Sequence, residues 1–467
     1  MTNGLSGPRM LVGLGIGIAV LIFLVLKTKV QAFLALIICT IIVGVVGGMP
    51  LLNITLEDGS TFGIINSVTS GFGGTLGSIG IIIGFGVMMG QLFEKTGAAK
   101  RMAFTFLKLF GKKREEEALA LTGFLVSIPI FCNSGFVVLA PIAKAISRAT
   151  KKSVIGLGAA LAAGLVITHS LVPPTPGPLG VCGIFGIDVG TFILLTIVLA
   201  LPMTIACIAY SRLYLSKKYY RIPNDDGEIV SAPYQQPDYD GAFSMDMNGV
   251  PGTFQSFLPL LIPIVLILVN TIATAAGQTG GFMESIIFLG QPIVAVGLGL
   301  LAAIFILARN LDRQEAIMEM EKGMMSAGII MLVTGGGGAL GQIIKDSGLG
   351  NFMAEGLSQT AIPIIVLPLI ISTAMRFIQG SGTVAMTTAA SISAPIVIAA
   401  GASPVLGAVA CCVGALFFGY FNDSYFWVVN RTLGVTEAKD QLRIWSVTST
   451  IAWGVGVVEV LILNIFM

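Results

Sequence analysis

Gly86 to Ala103 reads GVMMGQLFEKTGAAKRMA, and Gly337 to Ala354 reads GGALGQIIKDSGLGNFMA. Both run Gly-Gln, two apolar residues, two charged residues, a hydroxyl residue and a glycine, at an offset of 251 positions. An interrupted hydrophobic region follows each copy. One covers 116–147 and breaks around Phe131-Cys132-Asn133-Ser134-Gly135; the other covers 362–400 and breaks around Gln379-Gly380-Ser381-Gly382-Thr383. Next in each half comes a span that ends in a polar, irregular stretch. These are Val172-Pro173-Pro174-Thr175-Pro176-Gly177-Pro178 and Phe421-Asn422-Asp423-Ser424. An offset near 250 positions carried through three features marks an internal repeat.

Composition sets the solvent. Only 11% of the 467 residues are charged and 55% are hydrophobic, whereas a soluble surface needs about a quarter charged. Apolar runs near 10–26, 30–48, 76–92, 153–171 and 189–211, then 256–276, 285–307, 324–343, 404–420 and 445–466, are long enough to cross a bilayer. Their length excludes an outer-membrane barrel, whose strands alternate over about ten residues. The first run lacks a small-residue cleavage site and reads as a retained span. A net charge of +2 gives no footing for nucleic acid. The six cysteines lie in apolar stretches without a metal-binding spacing, and read as packing residues. No cofactor is implied.

Charge then orients the chain. If each interrupted region enters and leaves on one side, each half makes five crossings and the second half is inverted. With Lys27 and Lys29 cytoplasmic, so are 93–115, 144–152, 212–255, 309–323 and 431–443, and these segments with the two lysines hold 23 of the 26 Lys and Arg residues. Both termini then face the extracytoplasmic side. The expected fold is an all-α polytopic membrane protein of two inverted repeats, each of five membrane crossings plus a re-entrant helical hairpin. The first repeat is 1–212 with its hairpin near 116–147. A polar cytoplasmic linker covers 213–255, and the second repeat is 256–467 with its hairpin near 362–400.

Inverted repeats with broken helices point to a secondary transporter. Non-helical backbone in a bilayer costs several kcal/mol per unsatisfied group unless it lines a cavity or is buried in protein. The hairpin tips are therefore the first site candidates. Asn133, Ser134 and Gly135, and Gly380, Ser381, Gly382 and Thr383, sit where a second half-helix begins. Free N–H groups and a positive dipole end there suit a carboxylate. Arg376 lies in an otherwise apolar segment, where a central Arg costs about 2.5 kcal/mol or more. It either pairs with Asp423 or receives the substrate carboxylate, or else snorkels to the interface. Asp423 falls in a break and is the expected coupling-ion residue, with Asn422 beside it. Glu459 is either a relay or a structural acid, and Asp188 heads a helix as a cap. The run Gly335 to Gly338 lacks the Lys-Ser/Thr of a phosphate loop, so ATP-driven pumping has no support. A channel would want a pore or a subunit ring, and the inverted repeat argues against it; an intramembrane enzyme would want a nucleophile and base, for which one histidine and scattered serines are a poor start.

Four stretches resemble a known family. His169-Ser170-Leu171-Val172-Pro173-Pro174-Thr175-Pro176-Gly177-Pro178 is similar to the H-G-L-V-P-P-x-P-G-P stretch of gluconate permease-type transporters, the gluconate:proton symporter family. Gln379 to Ala390 resembles its hydroxyl-rich segment. Asn422-Asp423-Ser424-Tyr425-Phe426-Trp427 with Trp445-Ser446-Val447 resembles its N-D-x-x-F-W and W-S-V elements, and Pro129-Ile130-Phe131 with Gly135-Phe136-Val137 a fourth. The resemblance covers about 75–460. It implies a symporter in the bacterial cytoplasmic (inner) membrane that imports a small hydroxylated carboxylate such as a sugar acid, driven by protons, with an elevator-type motion and a homodimer. It adds His169 and Thr175 to the substrate-binding set. The alternatives are a Na⁺-coupled carrier of another small organic anion, or an anion channel. The chain departs from the family where Thr175, Tyr420 and Asn133 stand in place of titratable residues, which leaves coupling to fewer groups.

Overall fold

The computed structural model describes residues 5–56, 59, 61–111, 113–224, 229–236, 247–275, 281–358, 363–420 and 423–466. Among them the chain is helical apart from loops and two small antiparallel hairpins, 54–55 with 61–62 and 221–223 with 229–231. Among the described residues, eight helices are long and apolar enough to cross a membrane, or nine if the bent helix Ile64–Lys95 counts as one span. That helix turns by 45° between Ser78 and Gly80, in a stretch dense in Gly and Ser, the usual composition of a kink.

The elements differ from the sequence expectation in places. The span expected at 76–92 is the second part of that longer bent helix. The span expected at 404–420 is helical only over Pro404–Gly414. The second crossing is a shorter apolar helix, Phe33–Gly47. The helix Val189–Tyr210 runs on through a π turn to Lys218, so the polar segment begins later than 213 and carries the second small hairpin.

Both interrupted regions fold as two helices around a break. The first is Glu115–Val126 followed by Cys132–Thr150; the second is Val366–Gln379 followed by Gly382–Ala399. Gly380 closes the earlier arm of the second pair at φ +82°, a left-handed conformation that a Cβ makes costly. Ser381 then caps the next helix, accepting from the Val384 N–H. Buried Lys152 holds the first pair in place: its Nζ lies 2.7 Å from Glu115 and 2.6 Å from Glu116. Burial pulls its pKa down, but the Glu116 and Glu115 carboxylates outweigh that and leave it raised.

Matching helices of the two halves lie antiparallel. Ser67 donates to Asp346 at 2.6 Å at one end of Ile64–Lys95 and Arg313–Asp346, and Lys95 meets Glu315 at 2.6 Å at the other. Small residues permit the approach: a Cβ on Gly71 would stand 2.5 Å from the Gly338 carbonyl oxygen. Val189–Tyr210 and Val447–Phe466 also run opposite ways, with Cys207 beside Thr448 and Met203 beside Gly456. Outer helices turn Val12, Phe23, Ile205, Val265, Phe305 and Ile465 outward, as lipid requires. At the centre, every residue of Val154–Leu171 except His169 is buried. The polar breaks are thus held inside protein rather than against lipid.

Candidate functional site

Asp423 is the N-cap of the helix Ser424–Thr432, and its Oδ1 accepts from the Tyr425 N–H at 2.9 Å. The cap fixes the carboxyl and leaves Oδ2 free, which accepts from Arg376 Nη2 at 2.5 Å. Arg376 is 5% exposed and Asp423 6%. Of the readings open for Arg376, pairing with Asp423 holds and snorkelling does not. Arg376 Nε is buried without a partner among the described residues. The backbone at Gly419 presses on the pair. A Cβ there would be 2.9 Å from Arg376 Nη2, Asp423 Oδ2 and Trp445 Nε1 alike. Ser446 donates to the Gly419 carbonyl at 2.5 Å and Ser449 accepts from its N–H at 3.0 Å, which fixes this approach from both sides.

The pair lines a cavity of about 330 Å³ into which both hairpin tips project. Cys132 and Asn133 come from the start of one returning helix, and Gly382 and Thr383 from the start of the other. Two helix N-termini therefore meet one space beside a guanidinium, an arrangement that favours an anion. The Asn133 amide donates to Ser424 Oγ at 3.1 Å, tying the first tip to the second half's break. Arg376 and Asp423 are the Arg and carboxylate residues of the lining, and His169 adds an imidazole from the last turn of its helix. His169 Nδ1 is buried without a partner, and its ring lies 5.7 Å from that of Phe131.

Asn133, His169, Arg376, Ser381, Gly382, Thr383 and Asp423 are thus gathered around one space, although they come from distant parts of the chain. Among the described side chains, Thr175 and Gly135 stand outside that lining. Thr175 is buried, donates to the Val172 carbonyl at 2.7 Å and faces a small adjoining void. Gly135 is buried, and a Cβ on it would meet Leu165 at 2.8 Å. Ser134 lies in the first turn of its helix, and Asn422 lies outside the described residues. Ser170, Ser424 and Tyr425 also line the cavity and were not among the nominated residues; their only signal was adjacency to His169 and Asp423. Glu459 is away from the site, with Oε2 buried and unpartnered. Asp188 caps its helix through the Thr191 N–H at 2.7 Å. A larger cavity, about 610 Å³, lies at the far end of Gly382–Ala399 beside Gln342, Lys345 and Asn351.

The chain matches the sequence profile of the GntP family permeases over residues 9–466. It is 46% identical over 466 residues to an uncharacterized permease of Haemophilus influenzae, covering 98% of this chain and 93% of that one. It is 32% identical over 460 residues to the high-affinity gluconate transporter of Escherichia coli, covering 97% and 99%. In fold it is similar to the crystal structure of the Alcanivorax borkumensis YdaH transporter, with a TM-score of 0.61, 15% identity, and 95% and 98% of the two chains covered. A profile match from end to end, together with relatives aligned over nearly their full length, places this multi-pass membrane transporter in the GntP permease family.

Proposed function

We propose that this transporter is a symporter that imports a hydroxylated carboxylate, of which a sugar acid such as gluconate is the leading candidate, together with protons. The observation that carries the reading is the cavity itself, where two helix N-termini and a buried Arg face a space of small-molecule size. Ser381, Thr383, Ser424 and Asn133 add hydroxyl and amide groups suited to a polyol chain. The full-length relationship to a gluconate transporter supports the same substrate class. Asp423 is the coupling group in this reading, since it is the carboxylate of the lining.

The antiparallel pairing of the matching helices supports an inverted repeat, and with it alternating access. An elevator-type motion would carry the hairpin tips and their cavity against the outer helices, with a homodimer as the fixed frame. The bacterial cytoplasmic membrane is the location consistent with the family.

Uptake by proteoliposomes tests the reading. Radiolabelled gluconate should concentrate inside vesicles when an inward proton gradient is imposed in Na⁺-free buffer, and unlabelled sugar acids should compete. Uptake that ignores the proton gradient and follows Na⁺ would replace the coupling ion and keep the site. Indifference to every sugar acid tried would remove the substrate class.

A further inference from the structure

Among the described residues the cavity holds one guanidinium and one carboxylate, and they neutralise each other. Arg376 Nη2 and Asp423 Oδ2 are 2.5 Å apart, and both residues are buried. A monocarboxylate that enters brings a net charge of −1 into a space of low polarity, where an uncompensated ion is strongly disfavoured. It also meets a guanidinium already engaged at Nη2, with Nε as a buried donor that has no partner among the described residues.

Resting on the substrate reading above, we propose that substrate and proton are coupled by an exchange of carboxylates on Arg376. The incoming carboxylate takes the guanidinium, Asp423 is released, and Oδ2 takes one proton from the water on the side to which the cavity opens. One O–H bond forms on Asp423 and one breaks in the hydronium ion of that water, which supplies the proton; no other covalent bond changes. The cavity stays at net zero with one substrate and one proton aboard, and release reverses both steps. Substrate alone leaves it at −1, and a proton alone leaves Arg376 at +1 without a partner. Both half-loaded forms are disfavoured by the same electrostatics, which is what tight coupling requires. Asp423 suits the role because its two oxygens have separate duties. Oδ1 keeps its bond from the Tyr425 N–H, so the helix cap survives protonation of Oδ2.

The groups that share the site with Asp423 are Arg376 from Val366–Gln379, His169 from Val154–Leu171, Cys132 from Cys132–Thr150, Tyr425 from its own helix and Trp445 from the segment Leu442–Ser446. His169 is the rival proton acceptor. The test uses the full chain in detergent, in weak Na⁺-free buffer with a pH-indicating dye, and D-gluconate as the probe. The wild type should take up about one proton per gluconate bound, with affinity rising about tenfold for each unit fall in pH. Asp423→Asn should bind gluconate with no proton uptake and a flat pH profile. If that variant does not fold, the wild-type stoichiometry and pH slope decide. Gluconate bound without a proton overturns the exchange and leaves the site reading standing. So does loss of the proton in His169→Gln with binding intact. Absence of gluconate binding, together with absence of sugar-acid uptake in vesicles, removes the site reading as well as the exchange.

Discussion

A guanidinium buried in a membrane protein needs a fixed counter-charge, and Arg376 finds one on Asp423, 47 positions along the chain. Arg376→Ala should lower affinity for a sugar acid by about 2–5 kcal/mol, far more than affinity for an uncharged polyol of the same length. Competition against labelled uptake measures both; equal losses would make Arg376 a purely structural cation. Both residues could be read from the sequence, because a charge in an apolar context or in a helix break stands out. Their pairing was one of three readings the sequence left open, since nothing in a linear pattern fixes a hairpin arm against the break two helices later. Gly419 was invisible for a different reason. It matters because a Cβ there would crowd Arg376, Asp423 and Trp445 together, and one more glycine among 59 carries no signal. Thr175 occupies the variable position of the Pro-rich motif, and its hydroxyl donates to the Val172 carbonyl outside the cavity lining.

Helix contacts are set at the scale of single methyl groups. On the bent helix Ile64–Lys95, Gly71 is buried and a Cβ there would be 2.5 Å from Gly338 oxygen, a backbone atom that cannot swing aside. Gly73, two positions on, is exposed and has open space around its Cβ position. Gly71→Ala should therefore destabilise the transporter by about 1–3 kcal/mol, while Gly73→Ala should be neutral or gain up to about 1 kcal/mol of helix propensity. Thermal unfolding of the two variants in one detergent compares them directly. Similar melting shifts would mean that the two long helices do not pack as closely as described. The long apolar helices and the hairpin breaks were legible because hydropathy and the Gly-Ser runs report them. The early end of Pro404–Gly414 was not, since Ala415 to Tyr420 remain as apolar as a helix interior. Nor was the extension to Lys218, where the helix outlasts its hydrophobic stretch and Leu213 and Leu215 are interleaved with Arg, Tyr, Ser and Lys.

At the scale of the molecule the halves are interlocked rather than adjacent. The short helix Pro176–Phe185 lies against Gly382–Ala399 of the other half, where Cβ atoms on Gly177 and Gly180 would meet Met386 and Thr387. The reciprocal helix Ser424–Thr432 lies against Cys132–Thr150, through Asn133 with Ser424 and Phe136 with Tyr425. Each break is thus packed on the other half's hairpin, an exchange that a two-fold relation between the halves produces. If that two-fold axis lies in the membrane plane, the five crossings per half and the placement of Lys and Arg fix the orientation. An accessibility tag at Gln235 should then report the cytoplasm, and tags at both termini the opposite side. Membrane-impermeant labelling of intact cells, repeated after permeabilisation, reads all three. A C-terminus on the same side as Gln235 would give the second half an even number of crossings. The matching helices could then not be related by an axis in the membrane plane, and the two hairpins would enter the bilayer from one side instead of meeting from opposite faces.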